Sequence, residues 1–167
     1  MIEAAIINAQ YHGINLRPSK KIPGDGDCVF NSILDNINSR SCFDEHYKND
    51  AKYWRPIWMT ELENIAYDTW NGSMSRAEWK CAFINLKQPG TYRVPLGDLM
   101  IPGVAHSTKK NILIFNTSSQ SYCPVHIVPA SNFGGIANTN IPIILAYDGS
   151  HYESLIPKTD DDIKKKY

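Results

Sequence analysis

Apolar residues change their spacing partway along this chain. Over the first two-thirds they recur every three or four residues, the period of a helix buried on one side. Over the last third they gather into short β-prone runs, "NILIF" (111–115), "CPVHIV" (123–128), "IPIILAY" (141–147) and "HYESLI" (151–156), separated by Ser, Asn, Gly and Pro. Helices gathered first and strands last predict an α+β domain, with helices packed on a mostly antiparallel sheet. A length of 167 residues, 43% of them apolar and 20% charged, suits one folded unit with a full core.

Individual helices follow from the same period. Ile2, Ala5, Ile6 and Ala9 share a face, and Gly13 is placed to close that helix in a left-handed conformation. "INLRPSKKIPGDGD", rich in Pro, Gly and charge, is expected as an exposed loop leading to Cys28. Val29, Phe30, Ile33, Leu34 and Ile37 then mark an amphipathic helix over 28 to about 38. Residues 39–55 show no clear period, and Pro56 is expected in the first turn of a helix carrying Ile57, Trp58, Leu62, Ile65, Ala66 and Trp70. "SRAE" (75–78) has the capping-box form ahead of Trp79, Ala82, Phe83 and Leu86, with Gly90 just past the end. One more helix is expected around Leu96 to Ser107. The domain is read as 1–157, with 158–167, "KTDDDIKKKY", too poor in apolar residues to pack and therefore a loose tail.

Charge and cysteine usage narrow the function classes. Lys plus Arg equal Asp plus Glu at 17 each, so no net field draws the chain to nucleic acid or an acidic membrane surface. "MIEAAIINAQ" lacks a basic segment followed by a long apolar stretch, and no later run is long enough to span a bilayer. Cysteines 28, 42, 81 and 123 form neither a Cys-x-x-Cys pair nor a dense framework, which fits reduced thiols in a cytoplasmic monomer and gives no support to a structural metal. A calcium loop also fails. With Asp25 and Asp27 as first and third ligands, Phe30 falls where the turn Gly belongs and Asn36 where the bidentate Glu belongs.

Cys28 stands at a helix start, where free backbone N–H groups and the positive end of the peptide dipoles stabilise a thiolate. Gly26 frees the preceding backbone, so the Cys28 amide and one from the Asp25–Asp27 loop can converge on a developing oxyanion. By position alone Cys28 can equally be a small buried residue beneath a helix capped by Asp27, the commoner situation for a free cysteine. A nucleophile needs a base and a group to orient it. His12, His46, His106 and His126 have no distinctive company. His151 follows the turn "DGS" and opens a strand in which Glu153 points the same way, so the carboxylate can reach back and hold the imidazole.

"GDGDCVF" (24–30) and "GSHYESL" (149–155) together resemble the ovarian tumour (OTU) family of cysteine proteases. Asp25, Gly26, Asp27, Cys28, Val29 and Phe30 fit each position of that family's Asp-Gly-(Asn or Asp)-Cys-(apolar)-(aromatic) signature. The resemblance implies a papain-like α+β fold and cleavage of isopeptide or peptide bonds at the C-terminus of ubiquitin or polyubiquitin. It implies Cys28 as nucleophile, His151 as general base and Glu153 as orienter, with backbone amides of Asp25, Gly26 and Cys28 around the oxyanion and no cofactor. Glu153 stands where the family more often has Asp or Asn, Asn31 where it usually has Arg, and Tyr92 where it usually has Trp. A ubiquitin-binding module without turnover, and a protease of the same fold acting on another ubiquitin-like modifier or a polyprotein, are the alternatives.

Overall fold

The computed structural model describes residues 1–70, 72–91, 93–118 and 125–158. The apolar period that begins at Val29 becomes a helix, α2, over Cys28–Asn38, preceded by α1 (Ile2–Tyr11) and the short strand β1 (Leu16–Pro18). It is followed by α3 (Ala51–Trp70), α4 (Arg76–Lys87) and α5 (Met100–Thr108), the last entered through a 3-10 turn at Gly97–Leu99. The strands come next: β2 (Ile112–Asn116), β3 (Val125–Val128), β4 (Ile143–Tyr147) and β5 (Tyr152–Pro157). They form a mixed five-stranded sheet in the order β1-β5-β4-β2-β3, antiparallel except for the β2–β4 pair, in register at Ile112 with Ile143.

The two strands of that parallel pair are central and buried along nearly their whole length. Both faces are covered, which is why "NILIF" and "IPIILAY" read as unbroken apolar runs instead of alternating ones. Helix α2 crosses β4 and β5, α1 packs on β1 and β2, and α3 lies against α4 and α5. Phe30, Ile33 and Ile37 meet Trp58, Met59 and Leu62 in one core with Leu113, Ile144 and Leu155. Within that core Asn36 of α2 is fully buried. Its Nδ2 donates to the carbonyls of Ile144 (2.9 Å) and Leu155 (2.6 Å), and its Oδ1 accepts from the Ile144 N–H (3.1 Å). One side chain thereby ties α2 to both β4 and β5.

Several expectations need correction. The stretch from Ile14 to Asp27 is not simply an exposed loop: Ile14, Leu16 and Ile22 are buried, and β1 pairs with β5 to add a fifth strand. Pro56 lies inside α3, five residues beyond its start. The helix begins earlier because Asp50 supplies a start signal of its own: its Oδ1 accepts the Lys52 N–H (3.1 Å) and its carbonyl the N–H groups of Tyr53 and Trp54 (both 3.2 Å). On α3 the buried stripe is Trp58, Met59, Leu62 and Ala66, whereas Ile57, Ile65 and Trp70 are exposed. The Ser75–Glu78 capping box is present in both directions, and Gly13 takes φ 73 after α1. Lys158 donates its N–H to Asn15 O (2.8 Å), while the rest of the expected tail, 159–167, lies outside the described residues, as do Tyr92 and Cys123. Among the described residues no helix is long and apolar enough to cross a membrane.

Candidate functional site

Cys28 is the first residue of α2 and is half-buried. One turn on, Ser32 Oγ donates to the carbonyl of Tyr152 (3.1 Å), which pins the start of β5 beside the start of α2. The Cys28 thiol faces the N–H of the same residue, Tyr152, together with the N–H groups of Val29 and of Cys28 itself. Burial pushes this thiol above the ordinary cysteine range. The three N–H groups oppose that shift, and the nearby Asp25 carboxylate adds to it.

His151 immediately precedes Tyr152, so the two segments meet through one peptide unit. Its ring Nε2 lies 2.9 Å from Glu153 Oε1. A carboxylate only accepts, so this contact puts the proton on Nε2 and leaves Nδ1 as the basic nitrogen. Nδ1 lies beside Gly24, the residue that opens the "GDGDCVF" segment. The other oxygen of Glu153 accepts the backbone N–H of Ile22 at 3.0 Å, and the carboxylate is buried. His151 is also held from behind: Asp148 Oδ1 accepts the N–H groups of Ser150 (2.9 Å) and His151 (2.8 Å). Those bonds, that to Ser150 first, hold the Asp148 carboxyl below its usual range.

In front of Cys28 lies a cleft of about 520 Å³ whose walls include Gly26, Asp98, His126, Tyr147 and Tyr152. The Tyr147 and Tyr152 rings stack at 4.2 Å between centroids, and burial raises the Tyr152 phenol strongly. One wall comes from the segment after α4, where Arg93 (φ 56) and Leu96 (φ 63) are held in the left-handed region. Among the described residues no group of three or more His, Cys, Asp or Glu is placed to hold a metal ion.

The loop before Cys28 is held in part by Arg55 and Gly90, to which the sequence assigned no part in the site. Asp25 is exposed and turns its Oδ1 onto the Asp27 N–H (3.1 Å). Gly26 takes φ +89, and a Cβ there would lie 2.3 Å from Gly90 O, so the two glycine backbones touch. Asp27 does not cap α2 with its side chain. Buried instead, it accepts the Gly90 N–H and pairs with Arg55 Nη1 at 2.9 Å. Arg55 carries no motif and closes the stretch 39–55 in which the sequence shows no clear period. The Ile22 N–H that holds Glu153 has no side-chain signature at all. His106 pairs with Glu61 (3.5 Å), whereas His126, read as an undistinguished strand residue, stands at the cleft.

No protein-family model and no curated protein sequence matches the chain. Solved structures do. The viral OTU domain protease from Taggert virus superposes with a TM-score of 0.58 at 15% identity, over 86% of this chain and 80% of that one. The OTU domain of OTUD1 gives 0.61 at 13% identity over 93% of each chain. An OTU domain solved in complex with ubiquitin gives 0.55 at 13% identity, over 86% of this chain and 70% of that one. The α+β fold of this chain is that of the OTU domain.

Proposed function

We propose that this protein is a thiol-dependent hydrolase that cleaves isopeptide and peptide bonds at the C-terminus of ubiquitin, with Cys28, His151 and Glu153 as its triad. The observation that carries the reading is the clamp of Glu153 on His151 Nε2, which leaves Nδ1 basic on the residue just before Tyr152, whose N–H favours the Cys28 thiolate. In the reaction His151 Nδ1 takes the thiol proton as sulfur attacks the substrate carbonyl carbon. The oxyanion is received by backbone N–H groups of Cys28 and the Asp25–Gly26 segment. His151 then gives its proton to the departing lysine amine, leaving a thioester on Cys28. Water activated by the same imidazole hydrolyses the thioester and restores the thiol. No step needs a metal or organic cofactor. The ubiquitin-bound neighbour and the viral protease of the same fold support the substrate class. The thiols of Cys28 and Cys81 fit a reducing, cytoplasmic setting.

The test is incubation with ubiquitin carrying a thiol-reactive group at its C-terminus. The expected result is a one-to-one covalent adduct with the wild type and none with Cys28→Ala, whose thermal unfolding should match the wild type. Retention without a covalent bond would mean a binding module. No interaction would point to another ubiquitin-like modifier or a polyprotein junction.

A further inference from the structure

Arg55 lies on α3, a helix that contributes no group to the triad, yet its side chain is fully buried and its hydrogen bonds run to the loop before Cys28 and to the end of α4 and the segment after it. Nε donates to Leu86 O at the end of α4 (2.8 Å). Nη1 donates to Gly26 O (3.1 Å) and Asp27 Oδ1 (2.9 Å), and Nη2 to Thr91 Oγ1 (3.0 Å). The guanidinium centre sits 4.9 Å over the Phe30 ring. Asp27 in turn receives the Gly90 N–H on both oxygens, at 2.9 Å each. The planar fork of one arginine thus joins the nucleophile loop, the end of α4 and the segment that walls the cleft, a geometry an ammonium cannot reproduce.

The need for such a joint follows from Gly26. It lines the cleft at φ +89, a region that favours glycine, and its peptide to Asp27 is held by Asp25 Oδ1 on the N–H side and by Arg55 Nη1 on the carbonyl side. Rotation of the Gly26–Asp27 peptide would aim a carbonyl oxygen into the region where an oxyanion forms, replacing attraction by repulsion. We propose that Arg55, paired with Asp27, is a positioning residue that keeps the Gly26 carbonyl turned away from the cleft, so that only N–H groups meet the developing oxyanion. This rests on the thiol-hydrolase reading, but not on ubiquitin being the substrate.

The experiment compares two reactions of Cys28 in wild type, Arg55→Lys and Asp27→Asn. Addition of ¹³C-labelled acetyl-glycyl-glycinal gives a hemithioacetal, seen by NMR, whose oxygen needs the oxyanion site. Alkylation by iodoacetamide needs only the thiolate. The aldehyde should bind Arg55→Lys about 10-fold or more weakly, and Asp27→Asn more weakly in the same direction, while alkylation stays within about two-fold of wild type. A merely structural role would slow or speed both reactions together, and that result overturns the proposal. So does unchanged aldehyde affinity in both variants, or a wild type that forms no hemithioacetal. A wild type that forms the adduct but ignores ubiquitin conjugates leaves the latch standing and removes only the ubiquitin substrate.

Discussion

Glu153 joins His151 to Ile22: one carboxylate oxygen meets the imidazole at 2.9 Å while the other accepts a backbone N–H at 3.0 Å. Meeting both partners takes the full reach of a glutamate side chain. A carboxylate one methylene shorter draws back by about 1.5 Å and cannot keep both partners. Replacing Glu153 by Asp should therefore lower kcat on a fluorogenic ubiquitin conjugate by about 10-fold, and replacing it by Gln by about 100-fold, the lower end of what a well-placed base contributes. Each change also loosens the Ile22 N–H, at about 1–3 kcal/mol if left unpaired, readable as a fall in Tm. An Asp variant as active as wild type would show that the Ile22 anchor does nothing for the imidazole.

The raised Cys28 thiol makes a prediction about pH. Because burial outweighs the three N–H groups that favour the anion, the thiolate fraction is small at neutral pH and grows as pH rises. The iodoacetamide rate at Cys28 should keep climbing beyond pH 8.5, the region in which an ordinary cysteine is half ionised, at about 8.5. A plateau already reached between about pH 6 and 7 would mean a preformed thiolate–imidazolium pair, and proton transfer would then precede attack.

How much of this was legible in the sequence depends on which residues speak for themselves. Cys28 and α2 were plain because a helical apolar period starts at the residue the motif singles out. His151 and Glu153 share a face by strand alternation, but only the family resemblance of the two motifs together singled that pair out. Strand β1 was not, since three residues containing Arg17 and Pro18 carry no period and gain their order only from β5. Pro56 misled because a proline usually marks a first turn, and the true start rests on Asp50, an ordinary loop residue until its bonds are seen. Asn36 and Arg55 stayed hidden for a deeper reason. Buried polar side chains have the composition of surface residues, and only tertiary contacts show that they face inward.

Gly26 offers a direct measure of the loop's tolerance. A methyl group there meets Gly90 O at 2.3 Å in a left-handed backbone, so both space and conformation oppose it. Gly134 shares the conformation, at φ +86, but has nothing within 4 Å of the added carbon. Gly134→Ala should cost about 1 kcal/mol, the price of the backbone region alone. Gly26→Ala should cost more than that and abolish turnover, because relief requires the nucleophile loop and the segment at Gly90 to separate. Equal unfolding free energies for the two variants would contradict the close contact.

Asn36 links the helix that carries Cys28 to the two strands that lead into and out of the His151 turn. Besides its bonds to Ile144 and Leu155, its Nδ2 approaches Ser154 Oγ (3.0 Å) and its Oδ1 accepts from Arg40 Nη1 (2.9 Å). Asn36→Leu keeps the size but strands two carbonyls, one N–H and part of a buried guanidinium, and each buried unpaired group costs about 1–3 kcal/mol. The variant should lose at least about 3 kcal/mol in urea unfolding, enough to unfold a marginal domain at physiological temperature. Asn38, two residues on and exposed, makes its bonds to Tyr47 in contact with water, at 2.8 and 2.9 Å. Asn38→Ala should cost no more than about 1 kcal/mol, because solvent can replace what is removed. If the two substitutions proved equally mild, α2 would be held on the sheet by apolar packing and the Ser32–Tyr152 bond, without help from Asn36.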